Sequence, residues 1–207
     1  MNLYLVRHGE SIGNVNRTHQ GENVPLSEGG KKQAYQLSER LKSKNIDVIY
    51  ASPHLRTRQT AEIISSNLSL PIEYWDQLKE RRRPSEIEGL SYDDPKAQKI
   101  NEITKTNQII AEWKYSDDES YGDLLKRAKA IEEHLINHHA GQNVVCVSHI
   151  AIMMLIALHN ILHEQLSPEI FWQFYHHSRH ANTGITHLEY SEKNGWYLAT
   201  WNDTSHL

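Results

Sequence analysis

Three observations predict an α/β fold. Short β-branched runs alternate with amphipathic helical patterns along the chain. The runs are apolar throughout, as strands covered on both faces must be. The three clearest of them each break off at a histidine or an arginine rather than at an ordinary turn residue. The architecture expected is a three-layer α/β/α sandwich with a mostly parallel central sheet.

Each element follows from a local signal. "NLYLV" reads as a buried strand, "DVIYAS" at 47 to 52 as a second and "NVVCVS" at 143 to 148 as a third. Ala34, Leu37 and Leu41 recur at helical spacing between Ser27 and Lys44, with Ser27 and Gly30 as the start signal. A helix over 53 to 67 has Pro53 in its first turn, where the missing N–H costs nothing. Another, over 120 to 139, lines up Leu124, Leu125, Ala128, Ile131 and Leu135 and stops at Gly141. A further helix begins after His149 in "IAIMMLIALHNIL", too short and too polar at its end to cross a membrane. "PIEYW" at 71 to 75 adds a strand, and "GITHLEY" with "GWYLATW" forms a terminal hairpin at the sheet edge. The polar stretch from 81 to 118 is an excursion over the end of the sheet, with one helix in "KINEITKTNQIIAEW".

Composition narrows the function classes. The 207 residues are 38% apolar and 23% charged, the balance of a globular chain that folds alone. A net charge of -4 gives no general attraction to nucleic acid or anionic membrane, so anion recognition must come from a local cluster. The 1 cysteine, Cys146, excludes an internal disulfide and reads as a small buried hydrophobe. With no signal-peptide pattern at the start, a cytoplasmic protein is expected.

The strand ends carry the functional signal. "LYLV" runs into Arg7 and His8, "VIYASP" leads to Arg56, and "VVCVS" runs into His149. In open α/β sheets the carboxyl ends of parallel strands share one crevice. Two histidines and two arginines there, backed by helix N-termini, make a site for a phosphoryl group by charge, by guanidinium geometry and by free backbone N–H groups.

"LVRHGES" with Asn14 following, "LSEGGKKQA", "SPHLRTRQTA", "LKE" and "VSH" resemble the histidine phosphatase superfamily in order and over essentially the whole chain. That family includes cofactor-dependent phosphoglycerate mutases and many small-molecule phosphatases. The resemblance implies a phosphoglycerate mutase-like fold, one domain over 1 to 207 with a cap-like insertion around 81 to 118. It implies His8 as nucleophile, giving a phosphohistidine, with Arg7, Arg56 and His149 on the equatorial oxygens. Glu80 is implied as the acid that protonates the leaving alkoxide and then activates water. Asn14, Gln20 and Gly21 match positions that face phosphate or substrate in relatives. Ile150 stands where glycine is commoner and still offers its backbone N–H. No cofactor and no metal is implied.

The chemistry asks for these residue types. A histidine nucleophile must be neutral, which two nearby arginines favour, and an acceptor on its far nitrogen would fix the attacking tautomer. Glu86 and Glu88 compete with Glu80 as the acid. "ERRRPSEIEG" departs from the mutase pattern, so a phosphomonoester hydrolase acting on a small phosphorylated metabolite is the reading. A phosphoglycerate mutase and a non-catalytic phospholigand-binding protein are the alternatives, and the chain is a monomer or homodimer.

Other features have blander readings. Arg81, Arg82 and Arg83 are solvated or paired, with at least one of them lining the pocket. "DDES" with Asp123 makes a helix start. The i, i+4 pairs His134/His138, His159/His163 and His176/His180 arise by chance among 14 histidines. The aromatics of "EIFWQFYHH" form core and pocket wall, and Asn182 and Thr183 are placed near the site.

Overall fold

A computed structural model describes residues 1–207. Six strands form one sheet in the order β3-β2-β4-β1-β5-β6. They are β1 (Asn2–Arg7), β2 (Val48–Ala51), β3 (Ile72–Tyr74), β4 (Asn143–Ser148), β5 (Ile185–Ser191) and β6 (Gly195–Asp203). β1, β2, β3 and β4 are parallel, whereas β5 and β6 are antiparallel additions beside β1. The expected hairpin therefore has only β6 at the edge, because β5 pairs with β1 from Asn2 to Val6.

Side-chain alternation divides the core in two. Leu3, Leu5, Val144 and Cys146 face one side, against α5 (Tyr121–His138), α6 (Ile150–Leu162) and α7 (Pro168–His177). Tyr4, Val6, Val145 and Val147 face the other, against Leu37 and Leu41 of α2 (Glu28–Lys42) and Ala61 and Ile64 of α3 (Leu55–Leu68). Each of these leucines and isoleucines is fully buried, which stabilises the fold by about 1.5–3 kcal/mol per side chain.

Several helix boundaries shift for local reasons. α3 begins at Leu55, so Pro53 precedes it and His54 is the N-cap in extended conformation. α2 ends at Lys42. α5 ends at His138, and Gly141, at φ +77°, makes the turn into β4. α4 (Pro95–Asn107) is shorter than "KINEITKTNQIIAEW" suggests. The indole N–H of Trp172 in α7 donates to the Gln108 carbonyl at 2.8 Å, and Ile109 and Ile110 fall in a turn. A four-residue helix, α1 (Ile12–Val15), follows the first strand, closed by a capping box between Ser11 and Asn14.

Residues 81–118 contribute to the lining of the cleft at the carboxyl end of the sheet, and polar contacts fasten the two ends of the segment. Arg81 is buried and donates to the Asp118 carboxylate at 2.7 Å. Arg127 of α5 holds Glu119 at 2.7 Å and the carbonyls of Gln77 and Lys79 at 2.8 Å. No helix is long and apolar enough to cross a membrane.

Candidate active site

β1 and β4 are neighbours, with Arg7 opposite Ser148 in the parallel register, so the residues that follow each strand emerge side by side. The His8 N–H continues that ladder to the Ser148 carbonyl at 3.0 Å. The two imidazoles, His8 and His149, lie with ring centroids 5.3 Å apart and their planes at 61°. Arg56 enters from the first turn of α3, and Glu80 from the segment after β3.

The hydrogen bonds assign the tautomers. His8 Nδ1 is 2.7 Å from the Gly9 carbonyl, an acceptor only, so Nδ1 carries the proton and donates. His8 Nε2 is thereby an acceptor, and Arg56 Nε donates to it at 3.3 Å. Arg56 Nη2 donates to His149 Nδ1 at 3.2 Å, which leaves the His149 proton on Nε2, donated to Ser52 Oγ at 2.9 Å. Arg56 Nη1 is fixed by the Gly21 carbonyl at 2.8 Å.

Arg7 is anchored by Nη1 to the His180 carbonyl at 2.6 Å, while its buried Nε has no partner. The guanidinium thus has donors to spare within the cleft that it lines. Burial, with Arg56 and Arg7 beside it, pushes the His8 pKa well below the usual imidazole value. Burial and Arg56 do the same to His149. Burial also lowers Arg56, to about 10. Both rings are therefore neutral, as the sequence reading required of a nucleophile.

Glu80 lies at the start of α6, where its Oε1 accepts from the Ala151 N–H at 3.2 Å and from the Arg81 N–H at 2.8 Å. It lies close enough to Arg7 and Arg56 to favour their charged forms. Of the two competing carboxylates, Glu86 lies outside the cleft and Glu88 lines it away from the two imidazoles' hydrogen bonds. Glu86 is paired with Lys96 at 3.1 Å, and Glu88 lies over Gly21, where a Cβ would meet its Oε1 at 1.8 Å.

The remaining residues read from the sequence also line this cleft of about 1020 Å³: Asn14, Gln20, Gly21 and Ile150. Asn14 Oδ1 accepts from the Ser11 N–H at 3.1 Å, and Gln20 Oε1 accepts from the Ser11 hydroxyl at 2.6 Å. Ile150 opens α6, so its N–H belongs to the unsatisfied first turn. Asn182 Nδ2 donates to the His8 carbonyl at 3.0 Å, and the Thr183 N–H donates to the Arg7 carbonyl at 3.1 Å. Arg81, Arg82 and Arg83 all border the cleft.

Sequence reasoning missed Ser52 and His54, which lie at the end of β2 between the strand and Arg56. The strand-end rule that exposed Arg56 applies equally to them. His54 stacks edgewise on His149 at 4.9 Å, and burial with Arg56 nearby lowers its pKa to about 4. Tyr175, from the aromatic run, lines the cleft as pocket wall. The histidine pairs are held by stacking, an ion pair or a hydroxyl, and none joins a cluster of three or more metal-ligating side chains. His134 and His138 stack on each other at 4.4 Å, His159 pairs with Glu132 at 3.2 Å, and His180 meets the Thr186 hydroxyl at 3.0 Å.

Paired imidazoles and guanidiniums at the strand ends of an α/β sandwich place the protein in the phosphoryl-transfer class of this fold. The family model for the histidine phosphatase superfamily (branch 1) matches residues 3–204, and the chain belongs to that family. It is 30% identical over 206 residues to "Uncharacterized phosphatase PhoE" of Bacillus subtilis (strain 168), covering 98% of this chain and 95% of that one. It is 31% identical over 219 residues to "Probable phosphoglycerate mutase GpmB" of Salmonella arizonae, covering 100% and 95%. Among solved structures it resembles a phosphoserine phosphatase mutant from Entamoeba histolytica in complex with phosphoserine. The TM-score there is 0.83 at 26% identity, covering 100% of this chain and 98% of that one.

Proposed function

We propose that the protein is a phosphomonoester hydrolase that works through a phosphohistidine on His8, with Glu80 as the proton donor. The observation that carries this reading is the bond from His8 Nδ1 to the Gly9 carbonyl, at 2.7 Å, which puts the attacking lone pair on Nε2, where Arg56 Nε exchanges it for a phosphoryl oxygen when substrate binds. The Nε2 lone pair forms the bond to phosphorus as the ester oxygen leaves, and that oxygen takes its proton from Glu80. Water then attacks the phosphohistidine and gives its proton to the Glu80 carboxylate, so that inorganic phosphate departs with His8 neutral again.

Most neighbours fit their parts. Arg7 and Arg56 line the space of the equatorial oxygens, and the Ile150 N–H adds the partial positive charge of a helix N-terminus. His149, expected among them, is fully buried with both ring nitrogens engaged by Arg56 and Ser52, so its part is to hold the Arg56 guanidinium in place. Asn14, Gln20 and Gly21 border the same space, where the ester would lie. Glu80 Oε1 is engaged by two backbone N–H groups, which leaves Oε2 to carry the proton. A small phosphorylated metabolite is the substrate class, as with the phosphoserine held by the related phosphatase. The steps need neither metal nor cofactor.

The experiment is release of phosphate from p-nitrophenyl phosphate and a panel of sugar and amino-acid phosphates in EDTA. Turnover is expected in wild type and is lost in His8→Ala, with acid-labile label on His8 in rapid-quench samples. Full turnover in His8→Ala would reject the reading. The likeness to the probable mutase of Salmonella arizonae favours a second reading, return of the phosphoryl group to substrate. Interconversion of 2- and 3-phosphoglycerate faster than hydrolysis would establish it.

A further inference from the structure

The excursion over the cleft carries a polar face that the phosphoryl chemistry does not use. Asn101, Thr104, Lys105 and Gln108 follow one another at i, i+3, i+4 and i+7 along α4 and its cap, and all four line the cleft. A helix packed on a core would present apolar residues there. The stripe is apolar only at its amino-terminal end, where Ala97 and Ile100 cluster with Ile87. Thr104 is only 2% exposed, yet its hydroxyl has no hydrogen-bond partner. A buried hydroxyl left without one costs stability, so its retention points to a ligand atom.

Arg83 faces the same space. Pro84 holds it out of helical conformation, and its Nη2 donates to Asn101 Oδ1, while the Asn101 amide is in turn 3.3 Å from His19 Nε2. The Arg83 Nε is buried without a partner, and its Nη1 makes no hydrogen bond. Around it the other cations are matched. Arg81 pairs with Asp118, Arg127 with Glu119, Lys114 with Asp123 and Lys79 with Glu22 and Asp76. Arg82 is exposed and donates to the Asp117 carbonyl. Arg83 and Lys105 have no carboxylate partner, so the polar end of the cleft keeps a positive excess. Tyr175 connects the two ends, within electrostatic reach of Glu80 as well as Arg83 and Arg81.

We infer that Arg83, Thr104 and Lys105 form a second oxyanion subsite, and that the substrate is a phosphomonoester whose far end carries a carboxylate or a second phosphate. This rests on the hydrolase reading for the near end of the cleft. A guanidinium with free Nε and Nη1 accepts either oxyanion through charge-assisted bonds, and the Thr104 hydroxyl donates a further one.

The test compares esters that differ only at the far end. Wild type is expected to favour 3-phosphoglycerate over glycerol 3-phosphate, or 6-phosphogluconate over glucose 6-phosphate, by about 10- to 100-fold in kcat/KM. Fructose 1,6-bisphosphate against fructose 6-phosphate distinguishes a phosphate tail from a carboxylate. Arg83→Gln and, on the exposed side, Lys105→Gln are each expected to lower that preference ratio at least about fivefold, and Arg83→Lys to restore part of it. No preference in wild type for any pair, or ratios untouched in both Gln variants, overturns the subsite. If no ester is turned over, the hydrolase reading fails on its own. The ratio of Kd values for the same pairs, by calorimetry, then decides the subsite by the same criteria.

Discussion

The Nε of Arg56 lies 3.3 Å from Nε2 of His8, on the ring nitrogen that the Gly9 carbonyl leaves unprotonated. One guanidinium therefore aims both imidazoles, since its Nη2 also reaches His149 Nδ1 at 3.2 Å. In the proposed reaction the cation that attracts the phosphoryl group would also keep the nucleophile neutral, so that binding and activation share one side chain.

The buried imidazoles make stability depend on pH. Burial holds His8 and His149 well below the ordinary 6.5, and His54 and His180 at about 4. In the unfolded chain all four take up protons near their ordinary value, so the unfolded state binds more protons as pH falls below it. Stability is complete above about pH 7 and is lost on acidification toward about pH 4, by up to about 1.4 kcal/mol per pH unit for each imidazole. Urea midpoints should fall steadily between about pH 7 and pH 5, and a constant midpoint would refute the account.

Ser52 is fully buried and accepts the only proton of His149. Ser52→Ala leaves that N–H unpaired, with the ring held by Arg56 alone. The expected cost is about 1–3 kcal/mol of stability and about a tenfold fall in kcat, with a smaller change in KM. Chemical denaturation and steady-state kinetics on the same preparation check both.

Gly30 in the first turn of α2 lies against the loop after His8, where an added Cβ would stand 1.9 Å from the Glu10 carbonyl oxygen. Backbone must move to admit it. Gly30→Ala is expected to cost about 1–3 kcal/mol and to lower turnover by displacing the Gly9 carbonyl that orients His8. Unchanged melting and unchanged kcat together would show that the contact is unimportant.

Arg81 and Asp118 form a buried ion pair, with the guanidinium 4.7 Å above the Trp172 ring. Arg81→Met alone strands the carboxylate and is expected to cost about 3–5 kcal/mol, whereas Arg81→Met with Asp118→Leu should recover most of that loss. A double-mutant cycle by urea denaturation measures the coupling.

How much of this could be read from the residues differs from place to place. The strands and the meeting of Arg7, His8, Arg56 and His149 were legible, because β-branched runs fix the strands and parallel strands must end on one side. Glu80 was named through the resemblance and not through any spacing rule. The length of α4 was not legible, since the Trp172 indole that takes the Gln108 carbonyl comes from a helix far along the chain. The α4 polar stripe was equally hidden. Its residues look like an ordinary solvated face until the fold turns them inward.

The register of β1 against β4 has one more consequence. The separation of the two imidazoles is set by the spacing between hydrogen-bonded neighbours, and a slip of one residue would turn one ring through the sheet to the opposite layer. No partly assembled sheet can hold a fraction of this centre. Catalytic output is thus an all-or-none gauge of the native population, and in a denaturant titration it should vanish along the same curve as the far-ultraviolet signal.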